Sequence, residues 1–128
     1  MRVLLDTHAL LWAVLSPKAL SRKAAAIIAD NGNEILVSAA SAWEIATKVR
    51  LGRLPGAEVL EREFLETMER AGYILLPIDA SAALRAGRLS GEHRDPFDRV
   101  LAAQALSEDI PLLSVDTKLD SFGIRRLW

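Results

Sequence analysis

The chain alternates short apolar runs with longer stretches in which apolar and polar residues recur with helical spacing. The apolar runs predict strands at 3–5, 35–37, 73–76 and 111–115, with a fifth strand at 123–127. The helical patterns lie between them, at 8–15, 21–29, 39–50, 57–71, 79–89 and 95–108. Because strands that alternate with helices build parallel sheets, we expect an α/β domain with a mainly parallel sheet of four to five strands, flanked by helices.

Turn and capping residues support these boundaries. Pro17 ends the first helix, Asn31-Gly32-Asn33 forms a turn, and Gly72 closes the Glu-rich helix. Asp95-Pro96 is a strong helix start, since Asp favours the N-cap and Pro the first helical position. No repeat, linker or low-complexity segment interrupts the pattern, which predicts a single domain over residues 1–128.

Composition excludes several classes of protein. The chain has 128 residues, of which 51% are apolar and 26% charged, and it contains no cysteine. Disulfides, thiolate zinc sites and cysteine nucleophiles are therefore excluded. Asp6 and His8 interrupt what would be the apolar core of a signal peptide, and the longest early apolar stretch, 9–15, is far below the roughly 20 residues of a membrane helix. We expect a cytoplasmic protein.

The charge pattern is more informative than the net charge of −1, which gives no overall basic field for nucleic acid. Four carboxylates stand in apolar surroundings: Asp6, Glu44, Asp98 and Asp116. Two follow predicted strands and two lie near the starts of predicted helices, positions that meet at one edge of a parallel sheet. Converging carboxylates prefer hard divalent cations, so the pattern predicts a metal site.

Each carboxylate also has an ordinary structural explanation. Asp6 and Asp116 could cap the helices that follow them, and Asp98 could interact with a helix dipole. Glu44 could form a capping box with Ser41 or an i,i+4 ion pair with Lys48. Four such acids gathered at one sheet edge are harder to explain in this way.

Ordered motifs carry a resemblance to a known family. They are Leu4-Leu5-Asp6-Thr7-His8-Ala9-Leu10-Leu11-Trp12, Ser38-Ala39-Ala40-Ser41-Ala42-Trp43-Glu44-Ile45-Ala46, Asp95-Pro96-Phe97-Asp98-Arg99 and Ser114-Val115-Asp116. Together they resemble the PIN-domain ribonucleases, and most of all the VapC toxins of toxin–antitoxin pairs. Each motif is weak alone, but their order and the chain length match the family.

The resemblance implies a three-layer PIN-like fold and a metal-dependent endoribonuclease that hydrolyses RNA phosphodiester bonds with Mg²⁺ or Mn²⁺. The four carboxylates match the family's acidic metal-site positions. Thr7 matches the hydroxyl residue after the first acid, and Ser114 stands where many members carry Thr. It also implies a homodimer and a VapB-like antitoxin whose segment crosses the active-site groove.

We assign roles on this basis. Asp6 and Asp98 are expected to be the principal metal ligands, with Glu44 and Asp116 bound directly or through water. Expected substrate-binding residues are Arg99, Lys48, Arg94, Thr7 and Ser114, the basic ones holding phosphate because guanidinium and ammonium groups bind it. A zinc site built on His8 and His93 is disfavoured because the neighbouring donors are oxygens. Trp12 and Trp43 are expected in the core.

Two other functions remain open from the sequence. One is a PIN-type nuclease of RNA processing, which a neighbouring antitoxin gene would distinguish from a toxin. The other is a non-enzymatic receiver-like signalling module that binds magnesium beside a phosphorylatable Asp. Such a module needs a lysine that ends a late strand beside the acids, and the only lysine near that position, Lys118, lies beyond Asp116.

Overall fold

A five-stranded sheet forms the centre of the computed structural model, which describes residues 1–128. Its strands are β1 Arg2–Leu5, β2 Glu34–Ser38, β3 Ile74–Leu76, β4 Leu112–Leu113 and β5 Arg126–Leu127. They lie in the order β3-β2-β1-β4-β5, and every neighbouring pair is parallel. The predicted α/β class and the fifth strand are therefore confirmed.

Seven α-helices connect and cover the strands. They are α1 Thr7–Leu15, α2 Arg22–Ala29, α3 Ala39–Arg50, α4 Glu58–Arg62, α5 Phe64–Ala71, α6 Ala80–Arg88 and α7 Pro96–Glu108. Short 3-10 helices span Pro17–Ala19 and Thr117–Phe122. None of the α-helices has both the length and the apolar character needed to cross a lipid bilayer.

The prediction of one continuous helix over 57–71 was wrong. The backbone leaves helical geometry at Glu63 (φ −107°, ψ 26°), so two short helices replace the long one. Leu60 and Phe64 are both buried on either side of this break. Both side chains belong to the same core, as their i, i+4 spacing predicts, so only the interruption at Glu63 departs from the predicted helix.

Helices bury both faces of the sheet, giving three layers. On one face, alternate strand residues such as Val3, Val37 and Leu113 belong to a core with residues of α1, α2, α3 and α5. On the other face, Leu4, Leu36 and Leu112 pack with α7. Because successive strand residues point to opposite faces, strands covered on both sides become continuous apolar runs.

The two tryptophans predicted to lie in the core have different fates. Trp12 is partly buried against Trp128, with ring centroids 5.6 Å apart. The prediction for Trp43 was wrong, since this residue is 56% exposed. Its ring meets that of Phe97 edge to face, with the ring centroids 4.7 Å apart. The buried face of α3 consists of Ala40, Ser41, Glu44 and Ile45, and Trp43 lies outside it.

A buried polar cluster joins α7 to the sheet. The Ser38 hydroxyl donates to Gln104 Oε1 at 2.5 Å, and Gln104 Nε2 donates to the carbonyl of Pro77 at 3.1 Å. Ser38 also accepts from the backbone N–H of Ala40 and so caps α3. This cluster fixes the starting point of α3 relative to α7, the two helices that carry Glu44 and Asp98.

We expect Gln104→Met to lower the free energy of unfolding by about 1–3 kcal/mol, because it leaves the buried hydroxyl of Ser38 without its acceptor. Urea denaturation provides the measurement. The double variant Ser38→Ala/Gln104→Met should lose less unfolding free energy than the two single variants lose together, since the residues share one hydrogen bond. Strict additivity would contradict this coupling.

Candidate metal and nucleic-acid site

A polar cleft of about 260 Å³ lies between the carboxyl ends of β1 and β4, the middle and second half of α3, and the start of α7. All four acids singled out in the sequence line it. The full lining is Asp6, Thr7, His8, Glu44, Lys48, His93, Asp95, Asp98, Val115, Asp116 and Lys118. Five carboxylates therefore face two lysines, and the cleft carries an excess of negative charge.

Asp6 has both a structural and a chemical role in this arrangement. Its Oδ1 accepts from the backbone N–H of Ala9 at 2.7 Å, so it caps α1 as one alternative had it. Burial raises the pKa of Asp6, while hydrogen bonds from the Ser114 hydroxyl and the Ala9 N–H lower it and the charge of Glu44 raises it. Because capping occupies only one carboxylate oxygen, Asp6 can still serve the cleft.

Glu44 is the most enclosed of the four, with 3% of the residue exposed. Lys48 Nζ lies 2.5 Å from its Oε2, one turn further along α3. Its other oxygen, Oε1, is buried and has no hydrogen-bond partner. A buried carboxylate oxygen without a donor is costly unless a cation or a water satisfies it.

Asp98 lies in the first turn of α7, where Asp95 supplies the cap by accepting from the N–H groups of Phe97 and Asp98. Its Oδ2 is 2.8 Å from His93 Nε2. Burial raises the pKa of Asp98, the hydrogen bond from His93 lowers it, and the charges of Asp95 and Glu44 raise it. Asp98 is thus not needed as a helix cap.

Asp116 lies on the open side of the cleft and caps the 3-10 helix that follows β4. Its Oδ1 accepts from the Lys118 N–H at 2.9 Å, and its own N–H donates to the Ser114 hydroxyl at 3.0 Å. The four carboxylates therefore come from four separate elements, and each of them also has a capping or pairing contact.

The model of the PIN domain matches residues 3–124 of the chain. The chain belongs to the PIN-domain family. Residues 3–124 include all five carboxylates of the cleft and every helix and strand except β5 and the first residue of β1, so the family covers both the fold and the site.

Several known proteins are similar to this PIN domain. Ribonuclease VapC16 of Mycobacterium tuberculosis (strain ATCC 25618 / H37Rv) is 48% identical over 54 residues, which cover 42% of this chain and 38% of that protein. Two solved structures share the fold over nearly the whole of both chains. VapBC2 from Rickettsia felis, bound to a promoter DNA fragment, has a TM-score of 0.71 and 16% identity, and the match covers 99% of this chain and 98% of that chain. VapBC-1 from nontypeable Haemophilus influenzae has a TM-score of 0.67 and 20% identity, and the match covers 99% of this chain and 97% of that chain.

Thr7 and Ser114, the two hydroxyl residues predicted to bind substrate, make contacts within the PIN domain that support the cleft. Ser114 was predicted to bind substrate, but it is fully buried, which keeps substrate from reaching it. Its hydroxyl instead accepts from the N–H of Asp116. Thr7 lines the cleft, but it is also buried and its hydroxyl lies 2.9 Å from that of Ser41, which joins α1 to α3.

Arg99 does not take the position predicted for it. It is absent from the cleft lining, and its guanidinium donates to the carbonyls of Ala86 (2.9 Å), His93 (2.8 Å) and Leu89. These hydrogen bonds tie it to the α6–α7 connection, so the expected phosphate contact is not supported. Arg94 is exposed on the same connection, beside the cleft but not lining it.

Lysines supply the positive charge that the PIN-domain cleft does contain. Lys48, as predicted, lies in it, and so does Lys118. Lys118 belongs to the 3-10 helix after Asp116 and does not end a strand, as the lysine of a receiver would. The match to the PIN family and the sheet order also decide against a receiver.

The donor set suits a hard divalent cation. All four candidate ligands are carboxylates, which magnesium and manganese prefer, and the unpaired Oε1 of Glu44 gives the cleft a buried acceptor that needs a positive partner. No three acidic or histidine side chains are grouped tightly enough to hold one ion as they stand. In this arrangement Lys48 pairs with Glu44 and His93 pairs with Asp98.

Sequence reasoning gave too little weight to two residues. His93 was considered only as a disfavoured zinc ligand, yet it reaches the cleft and hydrogen-bonds to Asp98. Gln104 was passed over, although a glutamine inside the apolar stretch 101–106 is a recognisable signal of a buried hydrogen bond. His8 lies on the cleft next to Asp6, and its ring is tilted against that of Trp12, with the ring centroids 5.7 Å apart.

Proposed function

We propose that this PIN domain is a magnesium- or manganese-dependent endoribonuclease and the toxin of a toxin–antitoxin pair. The observation that carries the proposal is the convergence of Asp6, Glu44, Asp98 and Asp116 from four elements on one cleft whose buried Glu44 Oε1 lacks a partner. Such a surplus of negative charge is unfavourable in a site for RNA unless a cation occupies it.

Hydrolysis of a phosphodiester needs an activated water and a stabilised leaving oxygen. A divalent ion supplies both by lowering the pKa of water and by neutralising charge on the phosphate. We assign Asp6 and Asp98 as its principal ligands, with Glu44 and Asp116 binding directly or through water. One of the carboxylates can orient the attacking water.

The lysines are assigned to the substrate. Lys48 pairs with Glu44 in the structure but keeps 30% of its side chain exposed, so it can turn towards a phosphate oxygen. Lys118 stands on the same cleft beside Asp116. Each can place an ammonium against the flanking phosphate of an RNA strand, a contact that positions the backbone without reading sequence.

The comparisons support the toxin assignment. VapC16 carries the name ribonuclease, and the structural neighbours come from VapBC complexes, one of them bound to promoter DNA. The match to VapC16 spans 38% of that protein, so its activity comes to this chain as a proposal. We propose a VapB-like antitoxin, an RNA substrate and a homodimer as partners, and a cytoplasmic location.

RNA cleavage by the purified chain is expected to require magnesium or manganese and to stop when EDTA is added, because the cleft carboxylates repel RNA without a cation. The measurement is the initial rate of cleavage of a labelled single-stranded RNA over a series of metal concentrations. Calcium serves as the control for simple charge neutralisation. Full cleavage in metal-free buffer would overturn the proposed chemistry.

Purification together with the product of an adjacent small gene is expected to give a stable complex with suppressed nuclease activity. An acidic cleft attracts an Arg or Lys of a bound segment, which would pair with the carboxylates and keep the metal out. Size-exclusion chromatography measures the complex and its copy number, and the same RNA assay measures inhibition. Undiminished cleavage by the saturated complex would favour the alternative of an RNA-processing nuclease.

A further inference from the structure

The connection between α6 and α7 is built around a single side chain. Arg99, in the first turns of α7, reaches back to three carbonyls, those of Ala86 at the end of α6 and of Leu89 and His93 in the loop. A guanidinium presents up to five N–H groups in a fixed planar fork, and here three carbonyls use them. The loop therefore closes on Arg99 rather than on its own backbone.

Phe122 completes this support from the other side. The Arg99 guanidinium carbon lies 5.6 Å from the centre of the buried Phe122 ring, and the His93 ring meets the same phenyl ring edge-on at 5.7 Å. Cation–π and edge-to-face contacts of this kind each contribute about 0.5–1.5 kcal/mol. One buried aromatic ring thus fixes both the arginine and the histidine.

The result of this support appears at the cleft. With its ring held by Phe122 and its carbonyl held by Arg99, His93 places Nε2 2.8 Å from Asp98 Oδ2. That bond binds one oxygen of Asp98 and fixes the rotation of its carboxylate. Partners of this kind orient metal-binding carboxylates and change metal affinity or activity by about 10- to 100-fold when removed.

We propose that His93 is a positioning residue for Asp98, and that Arg99 with Phe122 holds the loop that delivers it. The inference rests on the proposed function only in treating Asp98 as a metal ligand. Arg99 then serves the site through the loop and does not contact RNA, which explains how a residue of the Asp98-Arg99 pair can face away from the cleft.

The first arm of the test uses the metal-free protein and follows the loop. Arg99→Lys keeps the charge but loses the planar fork, so the loop should open and the Glu92–His93 bond should become accessible to a glutamate-specific protease, with cleavage at least about tenfold faster. Arg85→Lys is the matched control, because Arg85 donates only to the exposed Ser107 hydroxyl and not to the loop. If the protease cleaves this bond in Arg99→Lys no faster than in the wild type, Arg99 does not hold the loop.

The second arm measures the binding of Mn²⁺ by titration calorimetry. His93→Phe keeps a ring against Phe122 and loses the bond to Asp98, so affinity should fall by about 10- to 100-fold. His93→Gln, which keeps a donor, should recover part of the loss. The double variant His93→Phe/Arg99→Lys should bind no more weakly than His93→Phe, because both changes act through one bond.

These outcomes separate the inference from the proposed function. Wild-type Mn²⁺ affinity in His93→Phe, or strictly additive losses in the double variant, would overturn the inference while the wild type still binds metal and cleaves RNA. A wild-type chain that binds no Mn²⁺ would overturn the proposed function. That result would also reject the role of His93 in metal binding. The protease experiment would still decide whether Arg99 holds the loop.

Discussion

Asp98→Asn and Asp6→Asn are each expected to lower the rate of RNA cleavage at saturating magnesium by at least about 100-fold. A metal ion stabilises the charge of the transition state by several kcal/mol, and each 1.36 kcal/mol corresponds to a factor of ten in rate. Replacing a principal ligand by an amide removes one negative charge and one strong donor. The measurement is the single-turnover rate on one labelled RNA.

The chain offers a matched control for this experiment. Asp79 caps α6 by accepting from the N–H of Ala82 at 2.8 Å, the same i to i+3 contact that Asp6 makes with Ala9, but it lies outside the cleft. Asp79→Asn should leave the rate unchanged, since Asn caps helices about as well as Asp. Undiminished cleavage by a folded Asp98→Asn variant would contradict the assignment of the ligands.

Magnesium is expected to raise the melting temperature of the wild type by several degrees and to leave that of Asp98→Asn nearly unchanged. An ion that binds only the folded chain stabilises it by about 2.7 kcal/mol when its free concentration is 100 times the dissociation constant. The unfolded chain cannot assemble carboxylates from four elements. Thermal melts in EDTA and in magnesium give the comparison.

The pH dependence of the same melts tests the electrostatic origin. Burial raises the pKa of Asp98 in the folded state, so the folded chain holds this proton more tightly than the unfolded chain does. The Asp98 proton therefore contributes favourably to the free energy of unfolding. This contribution is fully present below the ordinary aspartate pKa of about 3.9 and is lost as pH rises through the pKa of the folded state. In EDTA, Asp98→Asn should therefore melt at or above the wild type at neutral pH, and this advantage should disappear in acid.

A purely structural role for these acids predicts a different result. If Asp98 served mainly the dipole of α7, its replacement would lower the melting temperature in EDTA, and magnesium would not move the wild type. Asp79→Asn again provides the control, because it changes a capping aspartate without touching the cleft. A lower melting temperature of Asp98→Asn in EDTA, together with no effect of magnesium on the wild type, would reject the metal site.

The sequence by itself determined the sheet and the convergence of the acids. Apolar runs with helices between them require parallel strands buried on both faces, and parallel strands bring their carboxyl ends to one edge. Asp6 follows β1 and Asp116 follows β4, so both were expected at this edge, although only the tertiary structure shows that β1 and β4 are neighbours. The cap at Asp95 likewise fixed where Asp98 stands in α7.

Only the tertiary structure decided what individual side chains do. Helical periodicity cannot show that α4 ends at Arg62 or that Trp43 lies outside the face of α3 packed on the sheet, because both depend on neighbouring elements. Arg99 beside Asp98 suggested phosphate binding, yet carbonyls 6 to 13 residues earlier, at the end of α6 and in the loop after it, accept its hydrogen bonds. Such contacts join residues whose distance in space is set by the packing of the folded chain, and no local pattern encodes it.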